Sequence, residues 1–284
     1  MARMVIVWHR SKAKANRLFK YAPPKSRTIY EPICSLPYEI VEMIIVYLTH
    51  DLNALKACSL TCRSLYIVVV QHLHHTITLG DTKLDKIHDK LKPLSKLHEL
   101  GLMPLVKEIR VHQKWSSVRP WFVPKAFNNR HLRYFSAFAN VQALNFSRLE
   151  IYHFIPDIGR YFGHFSPTLR SIVLVHPRCT PRQLSYFLSF FPSLDDVDIS
   201  SPNPSPNITI PDAELVPLST PKLGGRLALY DFRWAETWTH FITPPRFHYM
   251  DLRTVGGCAP IVLEACAKTL ETLRFNVADG LTGK

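Results

Sequence analysis

The chain has 284 residues, of which 46% are hydrophobic and 20% are charged, and its formal net charge is +13. At about 150 residues per domain this length predicts two domains, and the apolar content excludes a disordered chain. No apolar stretch approaches the roughly 18 residues of a membrane span or the length of a secretory signal. We therefore expect no membrane partner and a cytoplasmic and/or nuclear location.

Residues 1–33 form a basic N-terminal extension. Eight lysines and arginines and no acidic residue lie within residues 1–30, whereas the rest of the chain has 27 basic against 22 acidic residues. Charge runs are typically solvated, so we expect this extension to be disordered. A nuclear-localisation or RNA-contacting tail and a mitochondrial presequence are the alternatives. The remaining chain is only mildly basic, which argues against nucleic acid as its partner.

Residues 34–76 are predicted to form a compact helical module. Pro37 suits the first position of a helix, where its missing N–H removes no hydrogen bond, and Glu39 lies near the positive end of the helix dipole. Apolar residues recur at intervals of four, with a second set one step round the helix, and predict one wide apolar face: Leu36, Ile40, Ile44 and Leu48, with Val41 and Ile45.

Two further short helices are predicted in this module. Asp51 is a competent N-cap for the second, which carries Leu52, Leu55 and Cys58. The third is predicted to begin near residues 59–62 and to continue through Leu65, Tyr66 and Val69. Three short helices bury little surface, so part of the first helix should meet a partner. The alternative is that the module caps the downstream domain.

The order and spacing of these residues resemble the F-box, in the form found in fungal F-box proteins. The residues that carry the resemblance are Leu36, Pro37, Tyr38, Glu39, Ile40, Ile44, Leu48, Asp51, Leu52, Leu55, Cys58, Ser59, Cys62 and Arg63. The resemblance implies a three-helix domain that binds a Skp-type adaptor and through it joins a cullin-RING complex, a ubiquitin ligase. Leu65 departs from the family, which commonly has Trp or another aromatic residue there.

The resemblance also implies roles for individual residues. The adaptor-binding set, as direct contacts or as their support, is Leu36, Pro37, Glu39, Ile40, Ile44, Leu48, Leu52 and Leu55. The set that holds the domain together is Cys58, Ser59, Cys62, Arg63 and Leu65.

A zinc site is the competing interpretation of the same region. Cys58 and Cys62 lie one helical turn apart, and three histidines follow at positions 72, 74 and 75. This spacing does not match a zinc finger, whose cysteines pair across a tight knuckle. We therefore expect no metal, and we expect all six cysteines of the chain to be free thiols.

From residue 77 onward the sequence has the pattern of short strands. TITL at residues 76–79 is predicted to be a strand, and residues 82–105 are amphipathic and interrupted by Pro93. An apolar-x-x-apolar-x-apolar triplet then recurs, which favours an irregular leucine-rich-repeat-like solenoid with a curved parallel sheet. The copies are Val106/Ile109/Val111, Val141/Leu144/Phe146, Leu169/Ile172/Leu174, Leu194/Val197/Ile199, Phe247/Met250/Leu252 and Leu270/Leu273/Phe275, with a degenerate copy at Leu227/Leu229.

The segments between triplets favour helices in a mixed α/β fold. Residues 182–191 follow a Thr180-Pro181 cap, and residues 259–269 are predicted to present Ile261, Val262, Ala265 and Cys266 on one face. A Pro/Ser/Asn-rich loop is predicted at residues 200–211. The alternative is an ordinary doubly wound α/β domain. The last triplet ends nine residues before Lys284, so we expect either a truncated C-terminus or an exposed edge.

No catalytic motif rises above background. Asp195, Asp196 and Asp198 look like a carboxylate cluster, but on a strand only the last two share a face, so a solvated strand end is favoured over a metal site. We expect no catalytic residue and no cofactor. The sequence thus predicts a non-enzymatic receptor that recruits an unknown protein substrate to a ubiquitin ligase. The alternatives are a nucleic-acid-binding protein that uses the basic extension and a non-degradative F-box scaffold.

Overall fold

A computed structural model describes residues 36–80, 91–113, 122, 124, 129–202, 224–231, 246–253 and 259–276. The chain divides into two compact units, Met1–His74 and His75–Lys284. The predicted basic extension at residues 1–33 and the predicted loop beyond residue 202 lie outside the described residues. Within the described residues, no helix combines the length and the apolar character needed to cross a membrane.

The described part of the first unit contains three helices: α1 (Tyr38–Tyr47), α2 (Leu52–Ser59) and α3 (Arg63–Leu73). Pro37 is the N-cap of α1, so the prediction that it occupies the first helical position is wrong by one residue. Its ring fixes φ at −53° but leaves ψ free to stay extended at 146°. From that position its carbonyl accepts a hydrogen bond from the N–H of Ile40 at 3.0 Å.

Asp51 caps α2 as predicted. Its carboxylate accepts hydrogen bonds from the backbone N–H groups of Asn53 and Ala54, at 2.9 and 3.0 Å. The third helix begins later than predicted, because Ser59 still belongs to α2 and Cys62 is the extended N-cap of α3.

The three helices enclose a small apolar core. Its buried members are Val41, Ile45, Leu55, Leu65, Val68 and Val69, and Leu48, Cys58, Cys62 and Leu73 pack against them. The core therefore draws on all three helices, and only two of its buried residues come from α1.

The residues described in the second unit form one parallel sheet of eight strands. The strands are β1 (Thr76–Leu79), β2 (Glu108–His112), β3 (Ala143–Ser147), β4 (Ser171–Val175), β5 (Asp196–Ser200), β6 (Arg226–Tyr230), β7 (Tyr249–Arg253) and β8 (Thr272–Asn276). Their order in the sheet is their order in the chain, so each strand pairs with the strands that precede and follow it. This order excludes a doubly wound sheet, in which the strand order reverses at a switch point.

The predicted triplets fall into register across the sheet. Ile109 lies opposite Leu144, Leu144 opposite Ile172 and Ile172 opposite Val197, and the third positions form a parallel column beside them. The triplet residues from Val106 through Leu252, including Leu227 and Leu229, are buried. The prediction of a parallel sheet within a mixed α/β fold is therefore confirmed.

Helices connect several of the strands. They are α4 (Lys92–Glu99), α5 (Asn129–Ser136), α6 (Ile158–Phe162), α7 (Pro181–Ser189) and α8 (Ala259–Cys266). Thr180 caps α7 in a capping box with Gln183, as the Thr-Pro pair predicted. Pro93 lies in the first turn of α4, so it begins this helix and does not interrupt it.

The C-terminal end of the described sheet is open. Leu273 and Phe275 of β8 continue the two buried columns but are exposed, because no further described strand covers them. On α8, Val262 and Cys266 are buried as predicted, whereas Ile261 is exposed, which corrects its predicted inward placement. Neighbouring helical residues are about 100° apart, so Ile261 and Val262 cannot both point straight at the sheet.

Candidate functional site

Helix α1 is apolar on nearly every side, yet most of it is exposed. Eight of its ten residues are hydrophobic, and only Val41 and Ile45 are buried. A helix that is apolar all round is normally covered on all sides. The uncovered side of α1 is therefore the strongest candidate surface for a partner in the first unit.

The wide face predicted for this helix divides into two in the structure. Ile45 is 1% exposed and anchors the helix to the core, whereas Ile40 and Ile44 are 42% and 47% exposed. Leu36 is exposed just before the helix. Of the set spaced at four, Leu36, Ile40 and Ile44 therefore point outward, whereas Leu48 packs against the core. Val41 and Ile45, one step round the helix, point inward.

The other predicted adaptor-binding residues surround this surface to different degrees. Pro37 and Glu39 are exposed at its N-terminal end, and Leu48 and Leu52 are half-buried around the turn between α1 and α2. Leu55 is buried in the core, so it can only support the surface and cannot contact a partner directly.

The residues expected to hold the module together differ in burial. Leu65 is buried, and Cys58 and Cys62 pack against the core. The hydroxyl of Ser59 donates to the carbonyl of Lys56 at 2.7 Å and closes the last turn of α2. Arg63 is exposed at the start of α3, so packing does not explain a structural role for it.

Several exposed apolar residues in this unit escaped the sequence reasoning. Tyr47 is 82% exposed and Leu60 is 79% exposed, and Tyr38, Met43, Val46, Tyr66 and Ile67 are also exposed. The composition of α1 could have indicated their exposure, because the helix carries more apolar side chains than one buried stripe requires. We call the exposed apolar residues of α1, together with Leu36 just before it, the α1 surface. Its members are Leu36, Tyr38, Ile40, Met43, Ile44, Val46 and Tyr47.

The second unit presents a polar sheet face that is the other candidate surface. Alternate strand residues point away from the core columns, and we call this side the outer face. On β3 and β4 it is uncharged, and its residues are Ala143, Asn145, Ser147, Ser171, Val173 and Val175. From β5 onward it carries aspartate, arginine and tyrosine.

The three aspartates of the predicted cluster do not all lie on this face. Asp195 precedes β5 and pairs with Arg170 at 3.5 Å. Asp196 and Asp198 share the outer face, as predicted. Burial raises the pKa of Asp198. The positive charge of Arg226 counteracts part of this shift, whereas the carboxylate of Asp251 adds to it.

A buried carboxylate near the C-terminal ends of β3 and β4 serves a structural purpose. Glu150 accepts hydrogen bonds from Arg178 at 2.9 Å and from the hydroxyl of Tyr152 at 3.0 Å, and His153 lies 3.2 Å away. Burial raises the pKa of Tyr152 to about 12, and its hydrogen bond to Glu150 acts in the same direction. The cluster ties the segment after β3 to the segment after β4.

The structure does not gather a metal-binding set from the part of the chain that it describes. No group of three or more His, Cys, Asp or Glu side chains there could hold an ion. Cys58, Cys62, Cys179 and Cys266 are free thiols. Burial raises the pKa of the Cys179 thiol, which places that group among the unreactive cysteines of a core.

No protein-family model matches this chain, and no curated protein is significantly similar to it. The α1 surface and the outer face of the sheet are therefore the two features that bear on its function.

Proposed function

We propose that residues 34–76 form an F-box that binds a Skp-type adaptor through the α1 surface. The observation that carries the proposal is the exposure of an almost wholly apolar helix that stands on a very small core. Contiguous exposed apolar surface of this kind is typical of protein-binding sites. The order and spacing of the residues around α1 and α2 resemble those of the F-box, and this resemblance points to a Skp-type adaptor as the partner.

We propose further that the sheet unit is a leucine-rich-repeat-like solenoid that holds a target protein. Support comes from the sequential order of eight parallel strands and from the triplet columns that run through them. In such a receptor each repeat contacts only its neighbours, which leaves a long continuous face for a ligand.

The chain then acts as a non-catalytic subunit of a ubiquitin ligase. The adaptor links it to a cullin-RING complex, and the thioester chemistry of ubiquitin transfer belongs to other subunits. The contribution of this chain is proximity, because holding both components converts an intermolecular encounter into an effectively intramolecular one.

Capture of the purified full chain by a fungal Skp-type adaptor tests the adaptor half of the proposal. Ile40→Asp and Ile44→Asp should abolish capture, because they place a charge in the middle of an apolar interface. Ile261→Asp is the matched control, since Ile261 is 37% exposed, close to the 42% of Ile40, but lies in the other unit.

Capture of wild type and of Ile261→Asp, but not of the α1 variants, would support the proposal. Absence of capture by soluble wild type, or equal capture of all four proteins, would refute it. Capture should depend weakly on salt because the proposed interface is apolar.

The basic extension supports one alternative of a different class. The eight basic residues within residues 1–30, a range without an acidic residue, could bind nucleic acid by releasing counterions, and such binding weakens steeply with salt. Removal of residues 1–30 would abolish nucleic-acid binding under this alternative and would leave adaptor capture unchanged under the main proposal. A non-degradative F-box scaffold would capture the adaptor equally well but would not alter the abundance of a bound target.

A further inference from the structure

The outer face of β5 to β8 combines charged and aromatic side chains in three rows. Strand pairing brings residues together that are distant in the sequence, so each row crosses four strands. The rows are Asp196, Arg226, Tyr249 and Thr272; Asp198, Ala228, Asp251 and Arg274; and Ser200, Tyr230, Arg253 and Asn276.

Arg226 lies between two possible partners and is directed at the aromatic one. Its neighbours in register are Asp196 on β5 and Tyr249 on β7. The guanidinium carbon lies 5.8 Å from the centroid of the Tyr249 ring, and the guanidinium of Arg274, on the other side of β7, lies 5.6 Å from the same centroid. Neither arginine forms an ion pair within the described part of the chain.

The third arginine of this surface is already neutralised. Nε and one terminal nitrogen of Arg253 donate to the two carboxylate oxygens of Asp251 at 3.0 and 2.9 Å. The same guanidinium lies 5.1 Å from the centroid of the Tyr230 ring. The charges of Arg253 and Asp251 therefore neutralise each other within the sheet, and this ion pair is not available to a ligand.

Two acidic side chains on β5 have no hydrogen-bonded partner among the described residues. Asp196 is exposed and Asp198 is half-buried, and neither has a hydrogen bond or a close ion pair among the described residues. The charges of Arg226 and Arg253 attract the carboxylate of Asp198 without contacting it. A carboxylate withdrawn from water without a donor is unfavourable. A cationic group from a ligand would add the direct contact that Arg226 and Arg253 do not make with Asp198.

The surface thus carries charges of both signs, with Asp196 and Asp198 on β5 and with Arg226 and Arg274 on β6 and β8. A polyanion, such as a phosphorylated segment or a nucleic acid, would be attracted by Arg226 and Arg274 but repelled by Asp196 and Asp198. A ligand with one group of each sign is complementary to both halves, because matched potentials give specificity at an interface. Tyrosine and arginine are also the residue types that dominate binding energy at protein interfaces.

We propose that the outer face of β5 to β8 binds a segment of the target protein that carries one basic and one acidic side chain. The basic group lies over Asp196 and Asp198, and the acidic group lies beside Tyr249, where Arg226 and Arg274 converge. The proposal rests on the receptor function proposed above and names the chemistry of its target. Strands are about 4.8 Å apart, so β5 and β7 are separated by about 10 Å, which an extended segment covers in about three residues.

Immobilised glycine-serine peptides test this specificity with the purified full chain. One series carries a lysine and a glutamate at increasing separations, and comparison peptides carry two glutamates, two phosphoserines or two lysines. Retention should be highest for the mixed peptide with the charges about three residues apart. Asp198→Asn and Arg274→Gln should each reduce this retention about fivefold or more, since each removes one member of a charge pair.

Arg160→Gln is the matched control because Arg160 is exposed on α6, away from the outer face, where it pairs with exposed Asp157 at 3.6 Å. It should retain the peptide as wild type does. Charge reversal adds a second criterion: Arg274→Glu should shift the preference from the mixed peptide to the peptide with two lysines.

Equal or stronger retention of the glutamate or phosphoserine peptides would overturn the proposal in favour of an anion-binding surface. Absence of retention of every peptide, or equal retention by all variants, would overturn it as well. Adaptor capture, measured on the same protein preparations, separates this result from the proposed function. Arg274→Gln should capture the adaptor as wild type does, whatever the peptides show.

Discussion

The backbone N–H of Ser201 donates a hydrogen bond to the carbonyl of Tyr230 at 2.7 Å, and Ser201 adopts a left-handed conformation with φ of 45° to make it. The same arrangement follows β3, β4 and β6, where the residues after the strand have positive φ and donate to the last carbonyl of the next strand. These residues are Arg148, His176 and Asp231. Each of these turns thus extends the pairing of two successive strands by one backbone hydrogen bond.

Substitution of Ser201 tests whether this turn limits stability. Left-handed backbone costs a residue with a side chain roughly 1 kcal/mol, and a β-branched residue more. We expect Ser201→Gly to preserve stability or to raise it by up to about 1 kcal/mol, and Ser201→Val to lower it by about 1–2 kcal/mol. Denaturant unfolding of the full chain measures both changes, and equal stability of the two variants would contradict the expectation.

The core columns and the outer face should respond differently to truncation within one strand. Ile172 is fully buried on β4, whereas its neighbour Val173 is only partly buried on the outer face. We expect Ile172→Ala to lower the free energy of unfolding by about 2–5 kcal/mol and Val173→Ala to lower it by less than about 1 kcal/mol. Comparable losses would mean that the outer face is packed against something as closely as the core.

The two ion pairs on the segments around β4 should contribute unequally. Arg178 pairs with the buried carboxylate of Glu150, whereas Arg160 and Asp157 are both half exposed. We expect Arg178→Ala to cost about 1–3 kcal/mol, because it removes a donor from a buried carboxylate, and Arg160→Ala to change stability by less than about 0.5 kcal/mol. Thermal unfolding of the two variants side by side measures the difference.

The raised pKa of Asp198 should make the free energy of unfolding depend on pH. Burial raises its pKa in the folded state, so between the ordinary carboxylate pKa and the raised value the folded chain binds more protons than the unfolded chain. The contribution of this group to the free energy of unfolding therefore falls as pH rises through that window.

Asp198→Asn should remove this fall and should be more stable than wild type at neutral pH. Asp196→Asn, at an exposed position on the same strand and face, removes the same charge and serves as the control. Unfolding measured across the acidic range gives both profiles, and a wild-type contribution that rises through the window would count against a buried Asp198.

The exposed and buried isoleucines of α1 should respond differently to truncation. Ile45→Ala should destabilise the helical unit by about 2–5 kcal/mol, whereas Ile40→Ala should change its stability by less than about 0.5 kcal/mol. Hydrogen exchange of the amides of α1 in the full chain reports the stability of this unit. The Ile40 substitution should instead weaken adaptor capture, which separates binding from folding.

Local chemistry determined a large part of this structure. The side chain of Asp51 and the Thr180-Pro181 pair mark helix starts because capping depends only on residues a few positions away. The apolar triplet predicted the sheet because its spacing fixes which side chains share a face. The periodicity of α1 likewise predicted a helix with more apolar surface than its module can bury.

Only the tertiary structure decided which of these surfaces remain uncovered. Burial of Val41 and Ile45, and not of Ile40 and Ile44, depends on where α2 and α3 pack. The approach of Arg226 and Arg274 to Tyr249 depends on the register of three strands that are separated by long stretches of chain. A sequence specifies contacts a few residues apart through its own periodicity, whereas contacts between distant segments exist only after the chain has folded.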